Sequence, residues 1–243
     1  EPDDELQFQL EEAQFAVEDA ELALETGPAD PFLDVWFADD KFGLAVGAYG
    51  MLYRTDNGGL QWRIAQAGIE NLEGYHYYSL SAPRADGDTI YLSGEAGIAY
   101  RSDDRGTTWQ RLDLDYDGSL FGILALGDDE VLSFGLRGNI FLSADRGESW
   151  NNITPEDGPG LSFFGAGRLP GGGLLLVGAG GALATSLDYE TFTVDIHSSR
   201  DTFAAALAVE QELLLAGMGG VTRIGAGRAQ KLPRRQAKEG AAP

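Results

Sequence analysis

The sequence predicts an all-β protein, a β-propeller of four-stranded blades preceded by an acidic α-helix. Three observations carry this reading. A Gly-x-x-Gly hairpin returns five times, a turn motif of the form S-x-D-x-G-x-x-W follows the hairpins, and an apolar run opens each repeat. Four short strands in about 40 to 45 residues make one propeller blade.

The helix comes first, within a segment spanning residues 1–29. Residues 3 to 25 contain neither Gly nor Pro, and Leu6, Leu10, Ala13, Val17, Ala20 and Leu24 follow a 4-3-4-3-4 spacing, which gives one continuous apolar stripe. Phe8, Phe15 and Leu22 recur every seven residues and fall about 180° from that stripe at 100° per residue. A helix apolar on two opposite faces is expected to be sandwiched, with one face on the propeller or a neighbouring helix and the other open to a partner. Phe8, Phe15 and Leu22 are therefore candidate partner-binding residues.

The propeller is expected over residues 30–232. Its inner strands read FLDVWF (32 to 37), YYSLSA (77 to 82), FGILAL (121 to 126), SFFGAG (162 to 167) and FAAALA (203 to 208). Small and apolar side chains suit the crowded axis of a propeller. The hairpins begin at Gly47, Gly94, Gly135, Gly178 and Gly217 and end at Gly50, Gly97, Gly138, Gly181 and Gly220. These glycines are expected to supply left-handed turn positions.

Two turn motifs are complete: Ser102, Asp104, Gly106 and Trp109, then Ser143, Asp145, Gly147 and Trp150. A third has Thr55, Asn57, Gly59 and Trp62. A fourth keeps Ser186 and Asp188 but lacks the glycine and the tryptophan, and the fifth repeat has none. This is the Asp-box. Its Asp or Asn accepts backbone N–H groups and locks a turn, and its aromatic packs back on the strands. The aspartate is occupied by its own turn, so a structural role is expected for these residues. Residues 233–243 form a basic tail.

Composition narrows the function. The net charge is −22, with eleven acids and no Lys or Arg in the first thirty residues. Such a body disfavours nucleic acid, whose phosphates need a basic face. There is no cysteine and there are two histidines, His76 and His197, in different repeats, so no metal site and no cofactor are expected. No apolar run is long enough to cross a bilayer, which implies a protein peripheral to the membrane and not inserted in it. A sialidase-like site needs an arginine triad and paired carboxylates, yet no predicted inner strand carries an arginine and only Asp34 supplies a carboxylate. No catalytic residue is assigned and no enzymatic activity is expected. The alternative kept open is a carbohydrate-active Asp-box protein, either a sialidase-like glycosidase or a lectin.

Hairpins of this kind alternating with Asp-boxes resemble the photosystem II stability/assembly factor-like family, within the wider group of BNR or Asp-box repeat propellers. The resemblance covers about residues 30 to 232. It implies a seven-bladed propeller exported to the periplasm, or to the thylakoid lumen in photosynthetic organisms. It also implies an accessory or assembly role for a membrane protein complex. In the proteobacterial type, associated with RND-type transporters, an acidic helical segment leads into a phrase like GPADPFLDVWF. This chain departs from the family pattern in having five visible blades and an acidic surface where photosynthetic members are arginine-rich. The expectation is that two N-terminal blades are missing or come from elsewhere, the alternative being a closed five-bladed disc.

A partner is then expected at the loops leading into the inner strands, where Tyr75, His76, Tyr77, Tyr78, Tyr116, Phe121, Phe163, Phe164 and Phe203 gather. Aromatic groups among polar neighbours suit protein recognition. Arg137, in the third hairpin, is a further candidate because its charge is not needed there for folding.

Overall fold

The computed structural model of the chain describes residues 4–27, 30–83 and 87–225. The basic tail lies outside the described residues. Helix α1 (Asp4–Thr26) comes first, and its composition of Glu, Ala, Leu and Gln favours a helix. Gly27, at φ +77, follows it.

Five antiparallel sheets follow in chain order. The first contains β1 (Phe32–Phe37), β2 (Gly43–Gly47), β3 (Leu52–Thr55) and β4 (Arg63–Ile64). The second contains β5 (Tyr77–Ser81), β6 (Ile90–Gly94), β7 (Ala99–Ser102) and β8 (Gln110–Arg111). The third contains β9 (Gly122–Ala125), β10 (Val131–Phe134), β11 (Ile140–Ser143) and β12 (Asn151–Asn152). The fourth contains β13 (Phe163–Arg168), β14 (Leu174–Gly178), β15 (Ala182–Ser186) and β16 (Thr193–Ile196). The fifth has three strands among the described residues: β17 (Phe203–Val209), β18 (Glu212–Gly217) and β19 (Gly220–Gly225).

Successive sheets pack face to face through their inner strands, β1 on β5, β5 on β9, β9 on β13 and β13 on β17, as propeller blades do. The core lies between blades. Leu44 and Val46 of the first meet Tyr77, Leu92 and Tyr100 of the second, and the pattern repeats around the arc. Polar groups also cross: Leu80 N donates to Asp34 Oδ2 at 2.8 Å, and Ala125 N to Ser81 Oγ at 3.0 Å. At the fourth interface a Cβ on Gly165 or Gly167 would lie 2.0 or 2.5 Å from the carbonyl oxygens of Ala204 or Ala206. The small residues of the inner strands are thus a condition of blade packing. The outward faces of the two end blades are different. Val35 and Ile64 on the first, and Leu207 and Val221 on the fifth, are all more than half exposed.

The hairpin glycines divide into two kinds, which corrects the expectation that all supply left-handed positions. Gly47, Gly135 and Gly178 are extended, with φ −171°, −179° and −167°. Each of the five first glycines makes room for a carbonyl just ahead of its own inner strand: a Cβ would stand 1.9–2.5 Å from the oxygens of Pro31, His76, Ser119, Ser162 and Thr202. The next residue donates its N–H to that same oxygen in every blade, at 2.9–3.1 Å. Only the second glycines of the pairs, Gly50 to Gly220, are left-handed.

The Asp-boxes fold as expected. Asp104 Oδ1 accepts the N–H groups of Thr107 and Thr108 at 3.0 and 2.8 Å, and Ser102 Oγ accepts that of Gly106 at 2.8 Å. Ser143 and Asp145 repeat this with Gly147 and Ser149. In the first box Thr55 accepts Gly59 N and Asn57 accepts Gln61 N, both at 2.9 Å. The fourth box is more complete than the sequence indicates. Asp188 accepts the N–H groups of Glu190 and Thr191, Tyr189 takes the left-handed position at φ 64°, and buried Phe192 stands in for the tryptophan.

Candidate protein-binding surface on the axial face

Four of the five inner strands carry a β-bulge at the same place, between Phe32 and Asp34, Tyr77 and Ser79, Phe163 and Gly165, and Phe203 and Ala205. The residue left out of register is Leu33, Tyr78, Phe164 or Ala204. Phe121 occupies the matching place in the third blade, where Ser119 and Leu120 crowd Gly135 as Ser162 and Phe163 crowd Gly178. A bulge re-aims a side chain. In the second, fourth and fifth blades the residue before it, Tyr77, Phe163 or Phe203, turns into the core, whereas Phe32 of the first stays exposed; the bulged residue is left over at the axis.

The bulged aromatic residues of consecutive blades touch. Tyr78 lies 5.1 Å from Phe121, and Phe121 lies 5.1 Å from Phe164, centroid to centroid. At the other end His76 is 6.3 Å from Tyr78 and 5.0 Å from Tyr49, a residue of the first hairpin. Tyr49, His76, Tyr78, Phe121 and Phe164 thus form one arc across four blades. Tyr49 is 64% exposed and the rest are half-buried. Burial and the Glu95 charge hold the Tyr78 hydroxyl above its ordinary value, so it stays a neutral donor. His76 is fixed from two sides: Tyr49 N donates to its Nδ1 at 3.4 Å, and its own N–H donates to Glu95 Oε2 at 3.2 Å.

Of the residues the sequence singled out, His76, Tyr78, Phe121 and Phe164 belong to this arc. Tyr77, Phe163 and Phe203 do not. They are at most 2% exposed, because each precedes its bulge and faces the core, and burial pushes the Tyr77 hydroxyl up to about 12. As partner-binding candidates they are corrected to packing residues. Tyr75 packs against the core between the first two blades. On α1, Phe15 and Leu22 are exposed, 66% and 57%, and the side chain of Phe8 lies outside the described residues. The sequence reading missed Tyr49. Its signal was its hairpin position, the same one that Arg137 occupies.

Arg137 borders the arc. Its N–H donates to Ser162 Oγ at 3.1 Å, two residues before Phe164. It is exposed at φ 58°, and its guanidinium makes no ion pair or side-chain hydrogen bond among the described residues. Four other arginines are engaged between blades. Arg54 and Arg101 donate to the carbonyls of Arg105 and Arg146 in the next Asp-box, and Arg105 and Arg146 pair with Asp39 and Asp103. Arg168, which β13 includes although the sequence reading ended that strand one residue earlier, lies 3.4 Å from the Tyr189 hydroxyl. Beside Arg137, a cleft of about 60 Å³ opens among Thr154, Pro155, Leu161, Phe163 and Val194.

The inner-strand carboxylate Asp34 is spent on blade packing. Burial raises its pKa, while the N–H groups of Leu80 and Val35 partly offset that rise. Among the described residues no group of three or more His, Cys, Asp or Glu side chains could hold a metal ion, and no helix is long and apolar enough to cross a membrane.

These features define an Asp-box propeller that presents a row of aromatic side chains at its axis. The chain belongs to the family of the photosynthesis system II assembly factor YCF48, whose model matches residues 13–204. It is 33% identical over 138 residues to the photosystem II assembly lipoprotein Ycf48 of Synechococcus sp. (strain CC9902), covering 56% of this chain and 40% of that one. Among solved structures it is similar to YCF48 bound to D1 peptide, with a TM-score of 0.65 and 23% identity, covering 81% of this chain and 64% of that one. It also shares its fold with the GH74 xyloglucanase from Xanthomonas campestris, at a TM-score of 0.63 and 18% identity over 82% of this chain and 37% of that one. The chain thus spans less than two thirds of the length of these relatives.

Proposed function

We propose that this protein is a non-catalytic, exported assembly or accessory factor. It holds an extended polypeptide segment of a membrane protein complex against the axial arc. The observation that carries this reading is the line of touching, half-exposed rings built on successive bulges. Such rings take up apolar side chains with little loss of side-chain freedom. A similar propeller carries D1 peptide in its solved complex, and a similar chain is a lipoprotein, which supports export. The net charge of −22 separates this chain from the arginine-rich surface implied for photosynthetic members. It favours another partner within the class, and the resemblance to the proteobacterial type implies an RND-type transporter reached from the periplasm.

Co-purification from detergent-solubilised membranes tests the reading, comparing the wild type with Phe121→Ser/Phe164→Ser. The expected result is one membrane protein complex retained by the wild type and lost by the double variant at unchanged thermal stability. Retention by both would refute the arc as the contact surface. Aromatic rings also suit sugars, and a GH74 enzyme shares the fold, so a glycan array and glycosidase assays run alongside. Glycan turnover by the wild type would overturn the proposal in favour of a carbohydrate-active protein.

A further inference from the structure

A second surface lies on α1. Among its side chains, Leu6, Leu10, Val17, Phe15 and Leu22 are each more than half exposed, so the helix presents apolar surface to solvent. Two apolar lines run along it, and their surroundings differ. Side chains three and four residues apart are neighbours on a helix. Phe15 has Glu11, Glu12, Glu18 and Asp19 at those distances, and Leu22 has Glu18, Asp19 and Glu25. By the same spacing Phe8 has Asp4, Glu5, Glu11 and Glu12.

The helical register therefore puts seven of the eight acidic sequence positions of α1 in two rows, one on each side of the line through positions 8, 15 and 22. Each row lies about 50° away at 100° per residue. Val17, on the opposite line, has Ala13, Gln14, Ala20 and Glu21 as its neighbours. One line is thus a largely uncharged seam, and the other is an aromatic and aliphatic ridge between two acidic rails.

Charge decides the occupant. The helix has no Lys, Arg or His, so an anionic lipid surface would repel it. A second copy of α1 would set rail against rail. What fits is a segment with an apolar stripe flanked by Lys or Arg, which buries the ridge and neutralises both rails. We propose that the ridge of α1 docks a basic amphipathic helix of a protein partner. This site is separate from the axial arc, and neither depends on the other.

The test uses the full chain and two labelled synthetic peptides of about 21 residues, equal in leucine content, one flanked by lysines and one by glutamates. Fluorescence anisotropy is read at low and high salt. The lysine peptide is expected to bind, to weaken strongly with salt, and to lose at least tenfold in affinity with Phe15→Ser/Leu22→Ser. Glu11→Lys/Glu18→Lys/Glu25→Lys is expected to switch the preference to the glutamate peptide. An equal charge change on the propeller, Asp113→Lys/Asp128→Lys/Glu156→Lys, leaves binding within about twofold if the site is on α1. Equal loss from the propeller triple would reduce the effect to net charge and overturn the proposal. So would indifference to Phe15→Ser/Leu22→Ser, or binding of the protein itself to phosphatidylglycerol vesicles in the absence of peptide. Phe121→Ser/Phe164→Ser is expected to leave this binding intact.

Discussion

Gly178 shows how one atom constrains a blade. Its backbone is extended, a conformation open to any residue, yet an alanine Cβ would sit 1.9 Å from the carbonyl oxygen of Ser162. That oxygen also accepts the N–H of Ala179 and cannot move without breaking the hairpin. Gly178→Ala is expected to cost about 3 kcal/mol or more, at the upper end for overpacking. Gly160, left-handed at φ +66 with open space around it, should lose only about 1 kcal/mol on the same change; urea melts of both variants check this. The box carboxylates act through the hydrogen bonds they accept, which favour their ionised form. Hydrogen bonds from Ser149 and Ser143 hold Asp145 at about 2, below the ordinary 3.8, and Asp188 is likewise held at about 2 by Thr191 and Ser186 against the opposing effect of burial. A depressed folded-state pKa stabilises the protein above the unfolded value, and that stability is lost as the pH falls from about 4 toward 2. Asn57 does the same work in the first box without a charge. Asp145→Asn should therefore narrow the stability difference between pH 7 and pH 3, measured by thermal melts. An unchanged difference would mean that the carboxylate does not titrate with folding.

Blades repeat their parts but not their surroundings, and this separates what the sequence reveals from what it hides. The inner strands were legible because crowding at the axis selects small and apolar residues, and β1, β5 and β17 start where the pattern indicates. The Asp-boxes were legible because they bond to themselves. The bulges were not, since a bulge is a property of two strands and leaves no mark in one. That is why Tyr77 and Tyr78, adjacent and alike in sequence, have opposite fates. Phe192 was missed because its box is one residue shorter, and Tyr49 because the hairpin was read for its glycines. The box tryptophans make the same point in energy. Trp109 is 6% exposed between two blades, whereas Trp62 is 38% exposed on the outer face of the first, packed edge-on to Phe37. Trp109→Ala should cost about 3 to 5 kcal/mol, as for a core aromatic, and Trp62→Ala about half that or less. A second comparison concerns the hairpin tip. Tyr49, Ala96 and Arg137 all hold left-handed backbones where the fourth blade has Gly180. Arg137→Gly should relieve that strain and raise stability by about 0.5 to 1 kcal/mol. It should also weaken capture of the membrane partner if the unpaired guanidinium meets a carboxylate there. Weaker capture together with higher stability cannot be blamed on unfolding.

Considered whole, the arc has two ends that resemble its internal interfaces in everything but exposure. Leu44 and Leu92 are fully buried because each faces a neighbouring blade. Val35 and Leu207 stand on the inner strands of the two end blades but face outward, and are 58% and 62% exposed. Phe32, Phe37 and Ile64 extend the first face, and Val209 and Val221 the last. Apolar patches of this extent mark surfaces that bind something. Two further blades between them, as in the seven-bladed arrangement implied by the family resemblance, would bury both. Without such a cover the 243-residue chain should self-associate through these faces, because water leaves apolar area wherever it can be paired. Sedimentation velocity across a concentration series is expected to show a mass rising above 26.0 kDa as concentration increases. Val35→Lys/Leu207→Lys should return it to a monomer with little loss of stability, since both side chains already face solvent. If the wild type stays monomeric at every concentration and the double lysine variant is destabilised by several kcal/mol, then the faces are already covered within the chain, and α1 with its largely uncharged seam becomes the cover to test.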